Sequence, residues 1–279
     1  MLVSLIMPTI NRYDEIYLLM DSLKKQTYKK FELIVIDQND NDKVKEIIDN
    51  YTDDLDIKYV KSDKPGLSLN RNIGIDMAKG QIIGFPDDDC VYEDDTLEKV
   101  IKFFEENKEY RLYSCKTMDF NKVDYFKKMY DGECEITSTN IMDTLTSITF
   151  FINFKEDDYT KFDERLGVGG EFGSGEEIDY VLDLISKGYK GRYFGQNIIF
   201  HPAKKHSKSK EKYKRDFNYG RGFGALCKKE IVYRKNYKFI KVMGYKIIRN
   251  IGGLVLNKDR DYHDATIKGR IEGFKQYKL

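Results

Sequence analysis

Three consecutive carboxylates, Asp87, Asp88 and Asp89, close the stretch Gln81-Ile82-Ile83-Gly84-Phe85-Pro86. An apolar, β-favouring run thus ends in stacked negative charge. Adjacent acids repel one another and gain nothing from an apolar neighbour. Oxygen-rich sites of this kind suit hard divalent cations, which in turn hold phosphates. A solvated acidic turn is the competing reading, since Asp is common in turns. The glycine-rich residues 167–175 contain neither GxxxxGK[ST] nor GxGxxG, which excludes a P-loop and a Rossmann fingerprint there. Cys90, Cys115, Cys134 and Cys227 show no CxxC spacing, which argues against a zinc ribbon or disulfide scaffold and suits a reducing compartment.

The elements that position these acids are legible from periodicity. Strand signals fall at residues 2–7, 31–36, 57–60, 81–85, 112–116, 144–154 and 193–200. Helical spacing falls at 11–25, 42–51, 69–79, 96–106 and 178–187, with Gly188 as a natural cap of the last. Ile16, Leu19, Met20 and Leu23 share one helical face, as do Val44, Ile47 and Ile48. Strands alternating with helices imply parallel pairing through right-handed crossovers. In such sheets ligands bind beyond the carboxyl ends of the strands. Pro8-Thr9-Ile10-Asn11-Arg12, Asp37-Gln38-Asn39 and the triple Asp then share one edge.

The 279 residues suffice for one large α/β domain or a domain with an appendage. The apolar start is too short for a signal peptide and lacks a basic flank. No stretch approaches the ~20 apolar residues of a membrane span. A net charge of +1 conceals a split. Residues 201–279 hold 22 Lys and Arg against 7 Asp and Glu, a net of +15, whereas residues 1–200 hold 26 against 40, a net of −14. Two functional regions are expected, the second with a polyanionic partner. Residues 203–215 are a solvated basic run, and amphipathic helices mixing basic, aromatic and apolar residues follow. Helices packed on the catalytic domain, an anionic membrane surface and nucleic acid all fit the charge, but no nucleic-acid motif is present.

Four segments in order, SLIMPTINR, FELIVIDQNDND, KPGLSLNRNIGIDMAKGQIIGFPDDDC and GSGEEIDYVLDLISKGYKGRYFGQNIIFHP, resemble the family 2 glycosyltransferases over about residues 2–202. The resemblance implies a GT-A fold: a mainly parallel nucleotide-binding sheet flanked by helices, here with a basic helical C-terminal extension. It implies that Pro8, Thr9, Asn11 and Arg12 line the nucleotide site, although Asn11 also suits the N-cap of the first helix. Asp37 matches an acid near the base. Gln38 replaces the second acid common in the family, and its amide can donate and accept at a base edge. Arg71 matches a position near the diphosphate, where a guanidinium suits phosphate; its alternative is a helix-surface arginine.

By the same resemblance Asp87 and Asp89 occupy the acidic places of the DxD motif. Asp89 is then the main metal ligand, Asp87 lies near ribose or metal, and Asp88 belongs to the same nucleotide-sugar site at a place where the family tolerates small residues, with a structural role as its alternative. His201 matches a histidine that ligates the metal, favouring Mn²⁺ over Mg²⁺; a turn residue before proline is its plain alternative. Glu176 and Glu177 match the family's acidic pair. Glu177 is the expected general base, with Asp179 and Glu176 as fallbacks. The family usually has Asp at this place, and acids in a first helical turn also simply complement the dipole. Residues 167–175 would be a mobile lid or acceptor loop.

The expected organisation is a catalytic domain at 1–202, with a nucleotide-sugar half at 1–116 and an acceptor half at 117–202, then the extension at 203–279. The expected activity is metal-dependent, inverting glycosyl transfer from a UDP-, dTDP- or GDP-linked sugar to a saccharide or lipid-linked saccharide in surface polysaccharide synthesis. A non-catalytic nucleotide-sugar-binding module and a sugar nucleotidyltransferase are the alternatives. The expected location is cytoplasmic, peripheral on the inner face of the membrane, with a homo-oligomer left open.

Overall fold

Residues 3–9 and 31–37 are mainly apolar runs, interrupted by Ser4 and Glu32 and ending at Thr9 and Asp37. In the computed structural model, which describes residues 1–124, 129–154, 159–203, 210–256 and 259–279, both become strands with every side chain buried. Such runs mark central parallel strands covered on both faces. In chain order the elements are β1 (Val3–Thr9), α1 (Ile16–Lys24), β2 (Phe31–Asp37), α2 (Lys43–Asp49), β3 (Ile57–Lys61), α3 (Leu67–Met77), β4 (Ile82–Gly84), β5 (Val91–Tyr92), α4 (Thr96–Glu106) and β6 (Tyr110–Met118). Then come β7 (Glu133–Ile136), α5 (Ile141–Thr144), β8 (Phe150–Asn153), α6 (Glu176–Ser186), β9 (Lys190–Phe200), α7 (Lys210–Lys228), α8 (Lys238–Val255) and α9 (Arg260–Gln276). A single π turn, Lys229–Tyr233, follows α7.

The chain divides into two compact units. The first comprises Met1–Pro65, Leu69–Lys161 and Leu182–Lys204. It holds the sheet, ordered β3-β2-β1-β4-β8-β6-β9-β5, with β7 also paired to β9. β3, β2, β1 and β4 are parallel, as expected from the sequence. β8 runs antiparallel to both β4 and β6, so the later half of the sheet is mixed. The chain leaves β1 for β2 and β3, then returns to β4 on the other side of β1. That reversal makes a switch point, where ligands bind in such sheets.

Pro8 tolerates its central strand for a local reason. The Thr9 carbonyl accepts from the Gln38 N–H of the β2 side, so the neighbouring Pro8 faces the β4 side. Pairing with β4 has already ended at Leu5 and Gly84, and the missing N–H costs no ladder bond. Ile16, Leu19, Met20 and Leu23 of α1 and Val44, Ile47 and Ile48 of α2 are buried, as their spacing predicts. Each contributes about 1.5–3 kcal/mol on leaving water.

Two expectations needed correction. The first helix begins at Ile16, not at residue 11, because Asn11 is left-handed with φ 55°. Residues 144–154 are not one strand. Thr146 and Thr149 cap one another around a 3₁₀ turn, and only Phe150–Asn153 pairs. The two-residue β5 carried no periodic signal.

The second unit comprises Gly66–Ser68, Phe162–Val181 and Lys205–Leu279. The basic C-terminal helices therefore share a unit with Phe162–Val181, around a core of Leu166, Phe172, Ala225 and Tyr277. Residues 167–175 are a folded turn here: Phe172 N–H donates to the Arg165 carbonyl, and Gly167, Gly169 and Gly175 supply positive φ. α7 and α9 approach at backbone distance. A Cβ on Gly224 or Gly273 would overlap the carbonyl oxygens of Arg270 and Arg221 respectively. The basic run at 203–215 lies partly outside the described residues.

Candidate functional site

β4 ends at Gly84, and the following loop carries the triple Asp past the end of β1. β9 ends at Phe200, paired to Met118, and the Met118 carbonyl accepts from the His201 N–H at 2.9 Å. These strand ends bring Asp87, Asp89 and His201 together, with one ligand atom from each within 4.8 Å of the others. His201 Nε2 lies 3.0 Å from Asp89 Oδ1 and 4.0 Å from Asp87 Oδ2. Its Nδ1 lies 3.0 Å from the Pro202 carbonyl, which can only accept, so Nδ1 carries a hydrogen. His201 Nε2 faces Asp89 Oδ1, a buried oxygen without a hydrogen-bond partner, at a distance that suits an ion pair when the ring is protonated and two ligands of one cation when it is not. The set of two carboxylates and one imidazole could hold a divalent cation.

The other oxygens of the triple Asp fasten this loop. Thr9 Oγ1 donates to Asp88 Oδ2 at 2.7 Å. Arg12 pairs with Asp89 Oδ2 and lies 3.5 Å from Asp88 Oδ1. Burial pushes the Asp88 carboxyl up to about 6, while Thr9 and Arg12 oppose the rise. Arg71 is not a helix-surface residue. It is 0% exposed, its Nη2 lies 3.3 Å from Asp87 Oδ1, and its guanidinium sits over the Phe85 ring.

Asp37 ends β2 fully buried. Oδ1 accepts from the Asn39 N–H at 2.9 Å and Asn39 Nδ2 at 2.7 Å; Oδ2 accepts from Tyr59 Oη at 2.6 Å and Lys61 Nζ at 3.1 Å. Burial alone would raise its pKa, but these bonds outweigh burial and hold it below the usual carboxylate range. Asn11 is not a helix cap; its N–H donates to Asn39 Oδ1 at 2.7 Å. Gln38 Oε1 accepts from Asn70 Nδ2 at 2.9 Å. Sequence reasoning placed Asn39 at the sheet edge without giving it a role, and gave none to Tyr59 or Lys61. An Asx pair two residues apart, Asp37 and Asn39, was the available signal for the first.

Glu176, Glu177 and Asp179 belong to the second unit, in the first turn of α6. Glu176 is buried and Glu177 half-buried. Asp179 is a poor candidate for a proton acceptor. Its two oxygens accept from Lys229 Nζ and Arg234 Nη1, each at 2.8 Å, in a network that continues through Lys229 to Asp163 and Tyr277. Its physical work is to hold the start of α6 against the π turn.

The model of Glycosyl transferase family 2 matches residues 4–166, more than half of the 279-residue chain. The chain belongs to that family. An uncharacterized glycosyltransferase of Haemophilus influenzae is 31% identical over 177 residues, covering 58% of this chain and 70% of its own. A GalNAc(5)-diNAcBac-PP-undecaprenol β-1,3-glucosyltransferase of Campylobacter jejuni is 30% identical over 159 residues, covering 55% of this chain and 51% of its own. The chain spans only 26% of the length of a Rickettsia felis relative. Among solved structures, Staphylococcus aureus TarS 1–349 with UDP-GlcNAc has a TM-score of 0.61 at 18% identity, covering 98% of this chain and 92% of that one. The mannosyltransferase PcManGT of Pyrobaculum calidifontis, with GDP-Man and Mn²⁺, has a TM-score of 0.67 at 13% identity, covering 97% and 86%. The family 2 chain thus has the GT-A fold of these proteins.

Proposed function

We propose that this chain is a metal-dependent, inverting glycosyltransferase. It moves a sugar from a nucleotide-diphosphate donor to a saccharide or lipid-linked saccharide in surface polysaccharide synthesis. The observation that carries the reading is the Asp87, Asp89 and His201 group at the switch point, with Arg71 beside Asp87. Those three side chains would hold Mn²⁺ or Mg²⁺, which would neutralise the diphosphate as it leaves. Arg71 and Arg12 add fixed positive charge to the same edge. Thr9, Asn11, Asp37 and Gln38 shape the nucleotide end. Glu177 takes the proton of the acceptor hydroxyl, with Glu176 as the fallback; a single base beside the acceptor fits inversion. Relatives solved with UDP-GlcNAc and with GDP-Man and Mn²⁺ support a nucleotide-sugar donor. The undecaprenol-linked glycan named for the Campylobacter relative supports a lipid-linked acceptor and a peripheral place on the inner face of the membrane.

Release of nucleoside diphosphate from a panel of nucleotide sugars tests this. Turnover is expected with Mn²⁺, falling about 100-fold or more in Asp89→Ala and in Glu177→Gln. Donor binding without any turnover would favour a binding module. Pyrophosphate-dependent formation of nucleotide sugar would favour a nucleotidyltransferase.

A further inference from the structure

Helix α8 buries little of itself. Of its eighteen residues only Phe239 and Asn250 are buried. At 100° per residue these two lie on one side. The other side carries Tyr237, Ile240, Tyr245, Ile248, Ile251 and Val255, with exposures reaching 63% at Tyr245, 70% at Ile248 and 78% at Val255. Gly244 and Gly252 fall on the same side, and a Cβ at either would meet open space. The result is an apolar stripe about five turns long, interrupted by Lys241, with none of its residues buried. Stripes of this size mark an interaction surface rather than scattered exposure.

Charge selects the partner. Residues 231–258 hold seven Lys and Arg and no Asp or Glu. Lys238, Lys241 and Arg249 are exposed and lie within or beside the stripe. A helix with apolar side chains on one face, basic residues at its margins and tyrosines within it has the chemistry of an anionic lipid interface. A second copy of this chain would bring the same basic margins together without a counter-charge. Among the described residues no helix is long and apolar enough to cross a membrane, so the contact is one of lying on the surface.

We propose that α8 docks the protein on an anionic membrane, its Tyr237–Val255 stripe entering the headgroup region and Lys238, Lys241 and Arg249 pairing with lipid phosphates. The inference deepens the proposed function and rests on it only for what docking achieves, the approach to a lipid-linked acceptor.

Flotation of the full chain with phosphatidylglycerol-containing vesicles, against phosphatidylcholine vesicles alone, tests the proposal. Binding is expected to the anionic vesicles only and to weaken with salt. Ile248→Ser lowers partitioning about tenfold, and Lys241→Glu about fivefold or more. Both sites are exposed, and unchanged thermal melting of the variants checks folding. Donor turnover without vesicles, measured on the same preparations, stays at the wild-type level in both; its loss in the wild type would count against the proposed transferase, not against docking. Equal flotation of wild type and variants, or none of the wild type, overturns the proposal. So does a wild-type dimer that Ile248→Ser converts to monomer, which would assign the stripe to a second copy.

Discussion

Single residues in the first unit are constrained beyond what their types suggest. Arg71 pairs with Asp87 from a fully buried place, so Arg71→Met should cost about 2–4 kcal/mol in urea unfolding by leaving a partly buried carboxylate unpaired. A loss below about 0.5 kcal/mol would mean that the pair is dispensable. Asp37 gives a pH signature. Its folded pKa is depressed, so its contribution is present above the usual carboxylate value and is lost as pH falls towards the folded one. The drop in denaturant midpoint between about pH 7 and about pH 3 should therefore be smaller in Asp37→Asn than in the wild type. An equal drop would show that the bonds from Tyr59, Asn39 and Lys61 do not favour the charged form. The types at Asp37, Arg71, Asp87, Asp89 and His201 were legible because each follows a strand or sits in a recognisable segment. The burial of Arg71 and the fourfold grip on Asp37 were not, since they depend on tertiary neighbours such as Phe85 and Tyr59.

Elements whose faces alternate strongly were read to within a few residues; α4 spans 96–106 as its spacing predicts. Misreadings came where a local bond overrode the pattern. Asn11 takes a left-handed conformation that cannot continue as a turn of right-handed helix, and the Thr146–Thr149 cap interrupts an otherwise strand-like run. The α7–α9 pair carried a signal in plain view, Gly220-x-x-x-Gly224 facing Gly269-x-x-x-Gly273. Close backbone approach through these glycines predicts that Gly224→Val destabilises the second unit by about 2–3 kcal/mol, read as a lower melting temperature. Gly188→Ala, at a helix end with φ 87° but open space, should cost only about 1 kcal/mol. Equal effects of the two would remove the packing argument.

At the scale of the whole molecule, the charge split of −14 and +15 suggests two regions of different character. It could not foretell that Phe162–Val181, and with it Glu176, Glu177 and Asp179, belongs with the basic helices. Within that unit Lys229 and Arg234 grip Asp179, beside the core of Leu166, Phe172, Ala225 and Tyr277, a pairing across about 50 residues that no local pattern announces. The metal group is likewise non-local, since its third member follows β9 more than 100 residues after the triple Asp. Its chemistry is the centre of the account and can be read without turnover. Mn²⁺ uptake, followed by loss of the free-ion electron paramagnetic resonance signal with UDP or GDP present, is the direct measurement. The wild type should bind the ion, with affinity reduced about 10–100-fold in Asp89→Ala and in His201→Ala. Undiminished uptake in both variants would contradict the assignment.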